Sequence, residues 1–288
     1  MNKPLRWRIG DVEVIRIAES CDPYPPEMLM KQATPDVVAK YMDWLAPHFI
    51  DAEGRFLISV HGLLIRSHGL NILVDTCLGP HVMAGMPVTN AFLESLAAAG
   101  AKPDDIDIVL CTHLHFDHVG WNTRKEGDRW VPTFPKARYL FSHQEWEHWH
   151  NAKELGYAST LNECVTPIVE AGLADLVEMN HVLTPDVHLV PTPGHTPGHV
   201  GVEIISQGQK AFITGDIIFH PIQWAEIEWA SDADSDAEAA LAMRHHVRDT
   251  YGSKKSLIIG THFAPPTAGH AFQTENGWRF EPAPQEKQ

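Results

Sequence analysis

Only four cysteines, at positions 21, 77, 111 and 164, occur in 288 residues, and none stands in a paired or C-x-x-C spacing. A disulfide scaffold and a zinc ribbon are therefore not indicated, and reduced thiols in the cytoplasm are expected. Basic residues are also scarce: 22 Lys and Arg face 37 Asp and Glu, a formal net charge of −15, and the basic residues are scattered. That balance argues against a nucleic-acid partner. The basic start from Met1 to Arg8 has no apolar h-region behind it, and no run elsewhere approaches the ~20 apolar residues of a membrane span. An unexported protein with no membrane partner is expected. No low-complexity linker interrupts the chain, and at 44% hydrophobic residues it can bury a large core, so one domain over 1–288 is expected.

Histidine, in contrast, is abundant, with 19 copies. Residues 111–120 read Cys-Thr-His-Leu-His-Phe-Asp-His-Val-Gly, which places His113, His115, Asp117 and His118 within six positions directly after the apolar run Ile106 to Leu110. Neutral imidazole and carboxylate suit zinc and its first-row neighbours. The alternate spacing lets His113 and His115 share one ion while Asp117 and His118 turn towards another.

Several other β-branched-rich runs end in an acid or a histidine: 72–75 in Asp75, 187–195 in His195, 212–216 in Asp216 and 257–262 in His262. Each reads as a buried strand delivering a polar residue at its C-terminal end. A lone histidine of this kind is usually a core residue bonded to a carbonyl, but recurrence at strand ends favours a common cleft. Gly194, Gly215 and Gly260 let the backbone turn beside these residues.

On these residues the chain resembles the metallo-β-lactamase-fold hydrolases, whose signature is His-x-His-x-Asp-His followed by a distant His, Asp and His. All seven positions are filled, by His113, His115, Asp117, His118, His195, Asp216 and His262, and the likeness runs over roughly residues 10 to 270. Asp75, the Pro-Gly-His-Thr-Pro-Gly-His stretch at 193–199 and Thr-Gly-Asp at 214–216 also fit. The resemblance implies an α/β fold, a four-layer αββα sandwich of two similar halves, the second beginning near Asn180. It implies one ion held by His113, His115 and His195, a second held by Asp117, His118 and His262, and Asp216 bridging. Zinc heads the expected metals, with manganese, cobalt or iron also suited.

The expected chemistry is that of a dinuclear hydrolase. A water shared by the two ions becomes a hydroxide nucleophile near neutral pH, one ion polarises the substrate oxygen, and Asp117 or Asp216 carries the proton. A lactone or a carboxylic or aryl ester is the expected bond; an organophosphate triester and a persulfide oxidised at a single iron are the alternatives. Within the superfamily the chain is similar to the branch of N-acyl homoserine lactonases and methyl parathion hydrolase, through residues 192–199 and 215–223. The lactonases place a tyrosine three residues after the bridging aspartate; here Phe219 stands there, followed by His220, and this departure counts against homoserine lactone turnover.

Phe219, His220 and Trp121 are the expected substrate contacts, with Trp224 and Trp229 on the rim. Segments 21–54 and 121–180 read as insertions that wall the cleft with aromatic and methionine side chains for a small hydrophobic ester or lactone, or that form a homodimer contact. Other motifs have plainer readings. Asp232 to Glu238 begins like a calcium loop, but Ala237 and Met243 occupy the glycine and glutamate positions. His143 and His148 lie five apart and do not share a helix face, so an amphipathic helix is expected. His245-His246 reads as solvated, while His199 and Asp75 are candidates for orienting the ligands. Helices are expected from Thr89 or Asn90 to Gly100 and from Asp232–Asp236 to Tyr251, and the polar tail from Glu275 is expected to fray.

Overall fold

The computed structural model describes residues 4–81, 89–152, 157–253 and 255–284. Two seven-stranded sheets and one two-stranded ribbon organise them. In spatial order the first sheet contains Arg6–Ile9, Val12–Tyr24, Phe56–Ser67, Leu70–Val74, Ile108–Leu110, Arg138–Ser142 and Ala174–Val177. The second contains Val182–Thr184, Val187–Pro191, Val200–Ser206, Gln209–Ile213, Ser256–Ile259, Ala268–Thr274 and Gly277–Pro282. The change of sheet falls between Val177 and Val182, where the second half is expected to begin.

Side-chain alternation explains the layering. Ile72 and Val74 enter the core between the sheets, with Leu110 and Leu140 from the same sheet and Ala211, Ile213 and Ile259 from the other. Leu73, Val109, Tyr139 and Phe141 point the opposite way, under Phe92 and Leu96 of the helix Ala91–Ala98. On the far side, Phe212 and Ile258 pack against Ala240, Val247 and Tyr251 of the helix Ala237–Tyr251. A strand covered on both faces must be apolar at every position, which is why these segments read as continuous hydrophobic runs. The result is the helix–sheet–sheet–helix sandwich. Asp236 caps the second helix by accepting from the Ala239 amide at 2.9 Å.

Most strands that deliver functional residues are parallel to a neighbour: Leu70–Val74, Ile108–Leu110 and Arg138–Ser142 in one sheet, Gln209–Ile213 and Ser256–Ile259 in the other; Val187–Pro191, which leads to His195, has antiparallel neighbours but runs in the same sense as the latter two. Their C-terminal ends therefore open on one edge of the sandwich. There the sheets are stitched together by the Ser59 amide, which donates to the His262 carbonyl at 3.0 Å.

The tail does not fray at Glu275. Gly277–Pro282 pairs with Ala268–Thr274 as an edge strand. Phe280 supplies the reason: it is fully buried against Phe49 and Phe263, and one such side chain contributes about 2–3 kcal/mol. Residues 285–288 of that tail lie outside the described residues.

Candidate metal centre

The centre is built from turns that leave the strand ends. Thr112 donates its amide to Asp75 Oδ1 at 2.8 Å and its hydroxyl to Oδ2 at 2.9 Å, fixing the start of the histidine loop. Asp75 itself has φ +60°, a left-handed conformation that aspartate tolerates better than most residues. Gly215, with φ +52°, has no alternative: a Cβ there would lie 2.4 Å from His199 Nε2. That nitrogen accepts the Asp216 amide at 2.8 Å, so His199 holds the backbone of the acid in place.

All seven expected ligand residues converge. Asp216 Oδ2 lies 3.2 Å from His262 Nε2, 3.4 Å from His118 Nε2, 3.6 Å from His195 Nε2 and 3.9 Å from His113 Nε2. His195 Nε2 faces His115 Nδ1 at 3.0 Å, and His118 Nε2 faces His262 Nε2 at 3.2 Å. Asp117 closes the other side, 3.6 Å from His262 and 3.8 Å from His118. Ligand atoms fall into the groups His113/His115/His195, His113/His118/Asp216 and Asp117/His118/His262, each within 4.8 Å.

These residues fit metal ions on the geometry itself. His113 Nε2 is buried with no hydrogen-bond partner, and imidazole nitrogens are turned towards one another with a carboxylate oxygen between them. A buried nitrogen lone pair left unpaired is costly, and a shared cation satisfies several at once. Three imidazoles also direct their outer nitrogens outward as donors: His118 to Asp75 at 2.9 Å, His262 to the Ser59 carbonyl at 2.9 Å and His195 to Asp234 at 3.0 Å. That fixes each tautomer with Nε2 free to ligate.

The field within the cluster is uneven. Burial and the neighbouring imidazoles of His118 and His115 hold the pKa of His113 well below that of a free imidazole, and burial with His195 does the same to His115. Burial also disfavours charge on His118, but Asp216, Asp75 and Asp117 outweigh it and its pKa rises well above the usual value. Asp216 is itself pushed up by burial, yet His262 and His118 bring it well below the usual carboxylate range.

Above this floor lies a cleft of about 320 Å³, walled by Tyr24, Met28, Leu29, Phe116 and Phe219, with Ser231 to Ala233 on one side. The Phe219 ring sits 4.5 Å from that of His262. His220 is not brought to the cleft. It is fully buried, donates to the Phe49 carbonyl at 3.0 Å and stacks on Phe56 at 3.9 Å, because the turn Pro221–Trp224 directs it into the core. Trp121 is turned away too, its indole N–H satisfied by Glu19 at 2.7 Å and its ring stacked on Phe92. Trp224 and Trp229, expected on the rim, are core residues.

Segment 21–54 gives the cleft Tyr24, Met28 and Leu29, whereas its Trp44 and Phe49 pack in the core. Among the described residues, segment 121–180 contributes none of the lining; Trp149 and Tyr157 pack behind His115 instead. Residues 153–156 of it lie outside the described residues.

Two acids that sequence reasoning passed over support the ligand loops. Glu145 accepts from the Leu114 amide at 3.0 Å and the Gly198 amide at 2.9 Å, tying the 113–118 loop to the 193–199 loop. The Ser142-x-x-Glu145 spacing resembles a capping box, but only Ser142 caps the helix His143–Asn151; the glutamate looks to the site. Asp234 reaches His195 from a turn whose acids read as a helix cap. His245 bonds Arg248, and His246 is exposed.

Residues 57–260 match the family model of the metallo-beta-lactamase superfamily. The chain belongs to that superfamily. Among curated relatives, it is 24% identical over 232 residues to an N-acyl homoserine lactonase of Bacillus cereus, covering 80% of this chain and 82% of that enzyme. Among solved structures, this metallo-beta-lactamase superfamily member is similar to AbOPH, a hydrolase in the beta lactamase superfamily, with a TM-score of 0.84 and 22% identity over 100% of this chain and 99% of that one. It is also similar to AidC, a dizinc quorum-quenching lactonase crystallised with its product, with a TM-score of 0.80 and 22% identity over 99% and 98% of the two chains.

Proposed function

We propose that this chain is a dinuclear metallohydrolase that opens lactones and cleaves carboxylic or aryl esters. One observation carries the reading: Asp216 Oδ2 lies within 3.9 Å of four imidazole nitrogens, on the floor of an apolar cleft. His113, His115 and His195 would hold one ion, Asp117, His118 and His262 the second, and Asp216 both. Imidazole and carboxylate donors suit zinc first. Bound there, the ions would supply Lewis acidity to the scissile carbonyl and acidity to the attacking water.

The protein's own groups do the rest. Asp117, whose side chain is 19% exposed at the cleft floor, is placed to take a proton from the attacking water and return it to the leaving oxygen. Asp216 is too enclosed for that traffic, with Oδ1 held by the Thr261 hydroxyl at 3.0 Å, and serves as a fixed negative charge. Met28, Leu29, Phe116 and Phe219 receive an apolar acyl or aryl group and displace water from the reacting bond. The kinship to lactonases supports a lactone, and Phe219, with no hydroxyl to donate, favours one that is recognised by apolar contact. Four unpaired cysteines suit the reducing cytoplasm.

The second trio of ligands, Asp117, His118 and His262, is what weighs against a mononuclear iron oxygenase. The test is hydrolysis of an aliphatic lactone, an acyl homoserine lactone, an aryl ester and a phosphotriester, each with and without chelator. Chelator-sensitive turnover of the lactone or aryl ester is expected. Turnover confined to the phosphotriester, or activity indifferent to chelator, would overturn the proposal.

A further inference from the structure

The two candidate ion subsites are backed differently. His118 and His262 give their outer nitrogens to Asp75 and to a main-chain carbonyl. The outer nitrogen of His195 meets Asp234 Oδ1 at 3.0 Å, and Asp234 Oδ2 accepts from Arg244 Nη1 at 3.1 Å. The side chains of this acid and guanidinium are both 1% exposed. Arg244 also donates Nε to the Ile227 carbonyl at 3.0 Å.

An ion pair so deep costs several kcal/mol of desolvation per charge, so it is a poor device for stability alone. Helix capping does not explain it either, since Asp236 performs that role two residues later. What the pair does touch is one ligand. The turn carrying Asp234 is clamped onto the His195 loop by two main-chain bonds, Ser235 N–H to the His195 carbonyl at 2.9 Å and Asp236 N–H to the Gly194 carbonyl at 3.0 Å. Asp234 Oδ2 further accepts from the Ser231 amide at 3.2 Å, and Ser231, Asp232 and Ala233 line the cleft. Ligand, acid and cleft wall thus form one unit.

We propose that Asp234 is a positioning residue for one ion subsite only: it fixes the ring and tautomer of His195, with Arg244 as its buried counter-charge, and leaves the Asp117/His118/His262 subsite untouched. This rests on the dinuclear reading above. Removing an outer partner of a ligating histidine typically weakens metal binding about 10–100-fold.

The experiment is titration of the metal-free full chain with cobalt(II), followed by its visible absorption. Wild type should take up two equivalents. Asp234→Ala should weaken one uptake step by about 10–100-fold and leave the other unchanged. If that variant fails to fold, Asp234→Ala with Arg244→Met leaves no buried charge unpaired, and replacing the alanine by asparagine in that background should recover most of the lost affinity through the amide oxygen. Equal weakening of both steps, no weakening, or no recovery by asparagine would overturn the assignment. A wild-type protein that takes up no second cobalt ion would overturn the dinuclear reading and this assignment with it.

Discussion

Four of the seven ligand-type residues on the cleft floor lie within residues 113–118, while the wall is gathered from Tyr24, Met28, Leu29, Phe116, Phe219 and residues 231–233. The floor is polar and mostly buried, the tautomers of three of its histidines set by Asp75, Asp234 and a main-chain carbonyl. The wall is apolar and partly open, with Met28 66% and Phe116 37% exposed. Rigid polar geometry suits chemistry, and an accessible apolar surface suits recognition; here the two adjoin, with Phe116 set between His115 and Asp117 and the Phe219 ring 4.5 Å from that of His262. Substitutions in the floor should therefore strike kcat for every substrate, and substitutions in the wall should redistribute preference among substrates.

The largest effect is expected from His113→Ala, which removes an imidazole that, like that of His118, belongs to two of the three ligand groups. Activity on all substrates should fall by more than the ~10²–10³-fold cost of losing a single transition-state donor, and metal content should drop. His245→Ala, on the outer helix, should leave both unchanged. Comparable losses in the two variants would break the distinction between floor and scaffold.

Met28→Asp comes next. Placing a carboxylate on the wall removes an apolar contact worth about 1.5–3 kcal/mol when fully buried, and somewhat less at this exposed position. KM for an aryl ester should rise about tenfold or less with kcat little altered. A fall in kcat with constant KM would mean that Met28 serves the reaction and not recognition.

Phe219→Tyr sharpens the comparison, because this residue touches both regions. A gained neutral hydrogen bond contributes about 0.5–1.5 kcal/mol, so lactone turnover should rise roughly 2- to 12-fold while aryl ester turnover stays level. An equal change for both substrates would assign Phe219 to packing alone.

The smallest effect on activity is expected at His220, which belongs to neither region. Burial brings its pKa down to about 3, against about 6.5 in an unfolded chain. Between those values the unfolded state binds a proton that the fold does not, so stability falls as the pH drops from about 6.5 towards 3. His220→Gln should make the urea midpoint less sensitive to pH across that window, with turnover at neutral pH unchanged. An unaltered pH slope would mean that His220 is not the group responsible.

The same contrast explains what was legible in the sequence. The floor could be read because its residues are tied to local signals: a dense histidine motif after one apolar run, and His195, Asp216 and His262 each at the end of another. Strand alternation between two cores made those runs visible. The wall depends on tertiary geometry, which residue spacing does not encode. Phe219 and His220 are neighbours, yet one turn sends the first to the cleft and the second to Phe49 and Phe56. Trp121 read as a substrate contact, but the half-buried Glu19 carboxylate takes its N–H. Glu145 and Asp234 carried ordinary helix-start signals that hid their bonds to the ligand loops. Phe280, fully buried in a tail that otherwise reads as polar, seats an edge strand.

The central claim is that this floor holds two ions and that both are needed for hydrolysis. Metal-free protein should be reconstituted stepwise with zinc while bound metal and lactone or aryl ester turnover are measured in the same samples. Turnover that rises with the second equivalent and saturates at two ions per chain is predicted. Saturation at one ion, or an iron-loaded protein that consumes oxygen with a persulfide and hydrolyses nothing, would contradict it.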